Sequence, residues 1–346
     1  MKTKDNKELD NLSEIPQEFQ YVDDISLCLQ RRKQGRGYVY LDENGTRITA
    51  GPQLKRIKDL VIPPMWTDVK ICKFDDGHIQ AIGRDLKGRK QFIYHSEWER
   101  KRQEEKFARM IGFGKKLPKL RKQVAKDLRQ RQWNKSKVLA LMVEILDETG
   151  IRIGNKQYAK SNGTYGLTTL RRKHLQLEGQ QVTFKYKGKS NKEREVTIED
   201  PSLIRHIKKV TQLPGYEIFR FIGEDNKSHE IDSQDVNEYI NSIIGDDFSS
   251  KDFRTWVGSR LAIELIPEAI RVKETSPKRN LDAILIRMVA DELGNTPTVC
   301  RGYYIHPMIL TKFEADEIPQ KNPFRASRSA HALTPEEKLL LHLLEE

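Results

Sequence analysis

Cysteine is scarce: Cys28, Cys72 and Cys300 stand far apart in a chain of 346 residues. That spacing builds neither a disulfide framework nor a Cys/His zinc finger, and it fits reduced thiols in the cell interior. Long apolar runs are missing too, so no segment has the length of a membrane span. The polar, acidic start from Met1 to Asp24 lacks the basic head and greasy middle of a secretory signal, so the expected location is cytoplasmic. No Gly-x-x-x-x-Gly-Lys-Ser/Thr loop offers a cradle for a nucleotide, and no His-Glu-x-x-His or dense acidic motif offers a metal site. The expectation is chemistry without cofactor, metal or nucleotide.

Charge is abundant instead. Lys and Arg number 62 against 50 Asp and Glu, a formal net charge of +12. Such a surplus points to a polyanion, either nucleic acid or an acidic membrane. Its distribution is uneven: residues 1–24 carry three Lys against seven acids, whereas Arg100 to Lys137 carry fifteen Lys or Arg against three acids. Alone, such a block reads more often as a solvated helical face than as a binding surface.

The length suggests two domains. Residues 1–24 lack apolar periodicity and read as a mobile acidic tail. From Gly37 to Tyr94, the short runs Tyr38-Val39-Tyr40, Val69 to Cys72 and Gln91 to Tyr94 are separated by turn signals, which predicts a β-rich domain over 25–103. After Tyr94 come long charged stretches without strand alternation, so 104–346 reads as a larger, mainly helical domain. The fold class is α+β. Lys137 to Glu148 is apolar on too wide a face for a surface helix and is ended by Gly150. Val182, Phe184 and Tyr186 alternate with polar residues, and Val196 and Ile198 resume the alternation after a polar turn, predicting a β-hairpin with Lys189 at or near its tip.

Three local motifs place a cationic or nucleophilic side chain beside a structural break. Gly150-Ile151-Arg152-Ile153-Gly154-Asn155 follows the core helix, and Arg152 between apolar neighbours needs an anionic partner. On that motif alone the partner is a nearby carboxylate. Lys251-Asp252-Phe253-Arg254-Thr255-Trp256 opens a helix that buries Phe253, Trp256 and Val257. Gly294-Asn295-Thr296-Pro297 ends another helix, and Tyr304 follows Asn295 by nine residues in Tyr303-Tyr304-Ile305-His306-Pro307. A tyrosine by itself is far more often a packing residue than a nucleophile.

In this order, with the hairpin lysine between the first two, the motifs resemble the catalytic domain of the poxvirus-like and bacterial type IB DNA topoisomerases. The resemblance covers about Gly37 to Pro307, and five separated motifs in correct order are far more specific than any one. It implies a clamp of a small β-rich domain and a larger helical catalytic domain around duplex DNA, acting as a monomer. The family's Arg, Lys, Arg, His or Asn, and Tyr fall on Arg152, Lys189, Arg254, Asn295 and Tyr304. Asn155 to Tyr158, Thr164 to Leu170 and Lys173-His174 follow the family's pattern as well, and Gly83 to Tyr94 resembles its DNA-contacting segment. The DNA-binding residues implied are Lys87, Arg89, Phe92, Tyr94, Tyr158, Thr169 and Lys251. Two departures matter: Asn295 stands where poxvirus enzymes have histidine and carries no charge, and Phe92 stands where they have tyrosine, losing a hydroxyl.

The implied reaction suits these residue types. The arginines stay protonated and hold the non-bridging oxygens of a pentacoordinate phosphorane, with Asn295 a neutral donor to the same oxygens. Tyr304 attacks phosphorus and Lys189 protonates the leaving oxygen. Supercoil strain drives relaxation. Rival readings are a tyrosine recombinase, which shares the Arg-Lys-Arg-Tyr chemistry, and a non-catalytic architectural DNA-binding protein.

Overall fold

The computed structural model describes residues 18–23, 26–319 and 321–346. It divides into two compact units, Met1–Glu105 and Lys106–Glu346. Most of the tail expected at 1–24 lies outside the described residues, but 18–23 correct that expectation. The Gln20 N–H donates to the Asp76 carbonyl (3.1 Å), and Val22 is buried beside Leu27, Cys72, Ile79 and Ile82. One apolar residue that finds a pocket suffices to anchor a short polar stretch.

The first unit holds β1 (Leu29–Gln34), β2 (Gly37–Leu41), α1 (Pro52–Asp59), β3 (Thr67–Ile71), β4 (Ile79–Arg84) and β5 (Lys90–Tyr94). The strands form one antiparallel sheet in the order β2-β1-β3-β4-β5. Leu29, Ile57, Ile62, Val69, Ile71 and Ala81 make its core, with α1 contributing Ile57. Gly83 faces Trp66, where a Cβ would come within 2.7 Å of the indole.

Helix α2 (Ser96–Leu128) leads into the second unit. There follow α3 (Lys135–Thr149), α4 (Lys156–Asn162), β6 (Leu175–Glu178), β7 (Gln181–Lys187), β8 (Glu193–Ile198), α5 (Pro201–Val210), β9 (Arg220–Ile222), β10 (Ser228–Glu230), α6 (Ser233–Ile244), α7 (Ser250–Glu264), α8 (Ile266–Thr275), α9 (Leu281–Leu293), α10 (Pro297–Tyr303), α11 (Pro307–Glu314) and α12 (Pro335–Glu345). This is an α+β fold with most of its helix in the larger unit. The predicted hairpin is β7-β8, with β6 added along β7 as a third strand. Val182, Phe184, Tyr186, Val196 and Ile198 are all buried.

The core of this unit is built on α3 and α7. Nine residues of α3 are buried, and Asn134 caps its start while left-handed Gly150 (φ 59°) ends it. In α7, Phe253, Trp256 and Val257 are buried, and Ser249 caps the first turn. α12 docks on α7 through an uncommon device: Glu337, fully buried, accepts from the Trp256 indole (2.9 Å) and from Arg121 (2.7 and 2.8 Å), which also grips Asp147. Part of the basic block is thus structural, because Arg121, Lys116 and Lys137 spend their charges on carboxylates or carbonyls inside the unit. Lys119, Lys122, Lys126 and Arg129 are exposed without an ion pair among the described residues.

Candidate active site

Arg152 leaves α3 just past its glycine cap, and a tight backbone crossing holds it. Its carbonyl accepts from Leu167 N–H (2.8 Å), and the Ile153 carbonyl accepts from Thr168 N–H (2.7 Å). Gly154 (φ 96°) and Gly166 make that approach possible, since a Cβ on Gly166 would lie 2.6 Å from the Arg152 carbonyl oxygen and from Gly154. The carboxylate expected beside Arg152 is not there: its guanidinium donates to the Asn295 side-chain oxygen, and it has no ion pair among the described residues.

Arg254 is buried on the second turn of α7. Its guanidinium donates to the carbonyls of Gly150 and Leu293, tying the C-terminal ends of α3 and α9 together. Its central carbon lies 4.9 Å from the centroid of the Tyr304 ring. Burial, with the nearby Arg152 charge, pushes its pKa down from 12.5 to about 10, a guanidinium short of compensating charge.

Asn295 follows Gly294, the left-handed cap of α9 (φ 56°), and its N–H closes the helix on the Ala290 carbonyl (2.8 Å). Its amide nitrogen is buried with no partner among the described residues. The buried Cys300 thiol is the side chain beside that amide. Tyr304 caps the end of α10 and packs its backbone on α7: Ser259 Oγ donates to the Tyr304 carbonyl (3.2 Å), and a Cβ on Gly258 would lie 2.7 Å from that oxygen. The Tyr304 ring is half-buried, whereas that of Tyr303 is 41% exposed. The structure therefore brings Arg152, Arg254, Asn295 and Tyr304 together.

Lys189 is placed differently. It is exposed on the turn joining β7 and β8, where Ser190 and Asn191 both take positive φ, and its ammonium has no hydrogen bond or ion pair among the described residues. The turn is closed by Gly188 N–H on the Lys192 carbonyl (2.8 Å).

Two neighbours of these residues escape sequence reasoning. Arg194, on β8, donates to the Glu292 carbonyl (3.1 Å) and lies directly on Gly294. Lys106, on α2, donates to the Tyr303 carbonyl, with its nitrogen 5.7 Å from the Tyr303 ring centroid and 5.9 Å from that of Tyr304. Burial brings the Lys106 pKa down to about 8, with Asp252 opposing and Arg109 adding to the fall. A glycine before Asn295 and a lysine within the basic block were the available signals, and neither is specific. His306 is pushed down to about 4 by burial and the Lys106 charge, so it stays neutral and caps α11 by accepting from Met308 N–H (3.1 Å).

The residues expected to bind DNA divide. Lys87 is exposed on the β4-β5 turn, but Arg89 pairs with Asp85 (2.5 Å). Phe92 and Tyr94 stack with ring centroids 5.9 Å apart on one face of β5. Tyr158 and Lys251 are exposed. Thr169 is a correction: it is buried, and its hydroxyl bonds the Gly166 carbonyl and N–H (3.0 Å each), closing the turn that supports Arg152.

A chain with converging guanidinium, amide and tyrosyl groups in a helical unit matches the family model for the catalytic core of eukaryotic DNA topoisomerase I over residues 95–323. Residues 37–85 match the model for the N-terminal domain of bacterial DNA topoisomerase IB. Among known proteins, DNA topoisomerase 1B of Acanthamoeba polyphaga mimivirus is 30% identical over 302 residues, covering 85% of this chain and 88% of the relative. DNA topoisomerase 1B of vaccinia virus (strain Copenhagen) is 25% identical over 270 residues, covering 75% of this chain and 81% of the relative. A solved XerH site-specific recombinase bound to a palindromic difH substrate aligns at 16% identity and a TM-score of 0.36, over 58% of this chain and 49% of that one, too distant to carry weight. The chain belongs to the type IB DNA topoisomerase family.

Proposed function

We propose that this protein relaxes supercoiled duplex DNA by cutting and resealing one strand through Tyr304, as a monomer, without ATP or metal. The Tyr304 oxygen forms a bond to phosphorus while the bond to the 5′ oxygen breaks, leaving a 3′-phosphotyrosyl link and a free 5′ hydroxyl. Lys189 gives its proton to the departing oxygen, and the reverse step restores the strand. One phosphoester replaces another of similar energy, so resealing needs no nucleotide.

The observation that carries this reading is a cluster of guanidiniums without a carboxylate. Arg152 and Arg254 have no ion pair among the described residues, and the Asn295 side chain joins them. Such a site lacks an anion, which a phosphodiester brings as one charge shared by two non-bridging oxygens and its transition state increases. The Arg254 guanidinium, 4.9 Å from the centroid of the Tyr304 ring, also sets a fixed cation beside the attacking group. Exposed Lys119, Lys122, Lys126 and Arg129, with Lys87, Tyr94, Tyr158 and Lys251, serve phosphate contacts that fix position without reading sequence.

The test is negatively supercoiled plasmid incubated with the protein in EDTA without ATP. Relaxation by the native chain and its loss in Tyr304→Phe support the proposal. Absence of relaxation across a range of salt, or relaxation that survives Tyr304→Phe and is lost in Tyr303→Phe, overturns it.

A further inference from the structure

Arg194 is tied to two places that the reaction needs in register. Through β8 it belongs to the lysine turn: it pairs across the ladder with Tyr186, and its side chain packs on Gly188, where a Cβ would come within 2.9 Å of the Arg194 Cγ. Through its guanidinium it belongs to the end of α9, donating to the Glu292 carbonyl (3.1 Å). The contact with Gly294 is closer still. A Cβ there would fall 1.4 Å from one terminal nitrogen and 1.9 Å from the central carbon, so the guanidinium occupies the space any other residue would fill. Asn295 is the next residue along the chain.

Arg194 also bonds the buried Tyr186 hydroxyl, and the Arg152 charge opposes its own. A cation at the carbonyl end of a helix is favourable, which offsets part of that repulsion. Tyr165 N–H holds the base of the turn at the Lys187 carbonyl (2.7 Å), but nothing among the described residues holds the Lys189 ammonium, and Ser190 and Asn191 are left-handed.

We propose that Arg194 is a positioning residue, a strap that holds the Lys189 turn against the end of α9 so that Lys189 and Asn295 address the same phosphate. This rests on the reading of Lys189 as the group that protonates the leaving oxygen. The strap delivers the lysine and does not itself touch the reacting atoms.

The experiment is single-turnover cleavage of a duplex whose scissile 5′ bridging atom is either oxygen or sulfur, because a thiolate leaves without needing a proton. Lys189→Ala, Arg194→Ala, Arg194→Lys, Gly294→Ala and the double variant Lys189→Ala/Arg194→Ala are compared with the native chain. On the oxygen substrate, Arg194→Ala slows cleavage about 100-fold, the scale of lost general-acid help. With sulfur the loss falls to about threefold or less. Arg194→Lys restores part of the rate, and the double variant is no slower than Lys189→Ala, because residues acting as one unit are not additive.

Gly294→Ala pushes the guanidinium aside while leaving Arg194 in the sequence, and it gives the same relief by sulfur even if Arg194→Ala folds poorly. Equal slowing on both substrates by Arg194→Ala and Gly294→Ala, or a double variant slowed multiplicatively, overturns the strap while leaving Lys189 as the acid if Lys189→Ala is still relieved. Failure of sulfur to relieve Lys189→Ala removes the acid role itself, and the strap with it.

Discussion

The guanidinium cluster should bind a small oxyanion in the absence of DNA, and the structure sets the scale. Burial and the neighbouring Arg152 lower the Arg254 pKa from 12.5 to about 10. At about 1.4 kcal/mol per pKa unit, the charged form is disfavoured by about 3 kcal/mol, which an anion beside it can at most recover. Phosphate at about 0.1 M, held with a dissociation constant of about 10 mM, stabilises the native state by about 1.4 kcal/mol. In a unit of this size that raises the melting temperature by about 3–6 °C. Calorimetry in phosphate against chloride at equal ionic strength reads the increment. Arg152→Ala is the control: Arg254 also holds the Gly150 and Leu293 carbonyls, so its removal damages the scaffold, whereas the Arg152 side chain bonds only the Asn295 amide among the described residues. Phosphate also stabilises proteins by exclusion from their surfaces, an effect Arg152→Ala keeps. An equal increment in both proteins, or none in the native chain, refutes the cluster as an anion site.

Arg254→Ala should lose stability as well as activity, by about 2–4 kcal/mol in urea melts, because two buried carbonyls lose a charged donor; a loss no larger than that of Arg152→Ala would argue against the structural half of its role. Glu337→Ala should cost about 3–5 kcal/mol by stranding Arg121 and the Trp256 indole, and a change below about 1 kcal/mol would show that α12 is not latched there. Glu144 carries a pKa raised from 4.5 to about 7 by burial and then by Asp200, Asp147 and Glu148. Between those values the folded chain holds a proton the unfolded chain lacks, so stability falls as pH rises through the window. Glu144→Gln should therefore stabilise at pH 8 by about 3 kcal/mol and be neutral near pH 4; a pH-independent difference would contradict the assignment.

What the sequence made legible follows from where burial leaves a pattern. β7 and β8 alternate because one face is buried and one is wet. β1 was illegible because its six residues, Leu29 to Gln34, bury only Leu29, and β4 because five of its six are buried, which erases alternation. Arg152, Arg254, Asn295 and Tyr304 could be named because each sits in a short motif whose order resembles that of the type IB family. Arg194 and Lys106 could not, since their partners lie 98 and 197 residues away and the glycine that receives Arg194 carries no message about what fills its place.

The same limit explains why the motif around Arg152, taken alone, points to a carboxylate partner. Every arginine in the second unit looks alike in sequence, and the expectation of a carboxylate partner is sound for the scaffold: Arg121 meets Asp147 and Glu337, and Arg260 meets Glu264. Among the described residues, Arg152 and Arg254 meet only neutral oxygens: the Asn295 amide for the first, the Gly150 and Leu293 carbonyls and the Tyr304 hydroxyl for the second. Neutral acceptors fix a guanidinium's direction without cancelling its charge, so the fold positions these two and leaves their electrostatic demand open. A scaffold gains nothing from that arrangement, since a carboxylate would satisfy the same geometry at less cost. Only a site that takes its negative charge from the substrate is served by withholding it, which is why partner chemistry, rather than arginine count, separates function from framework here.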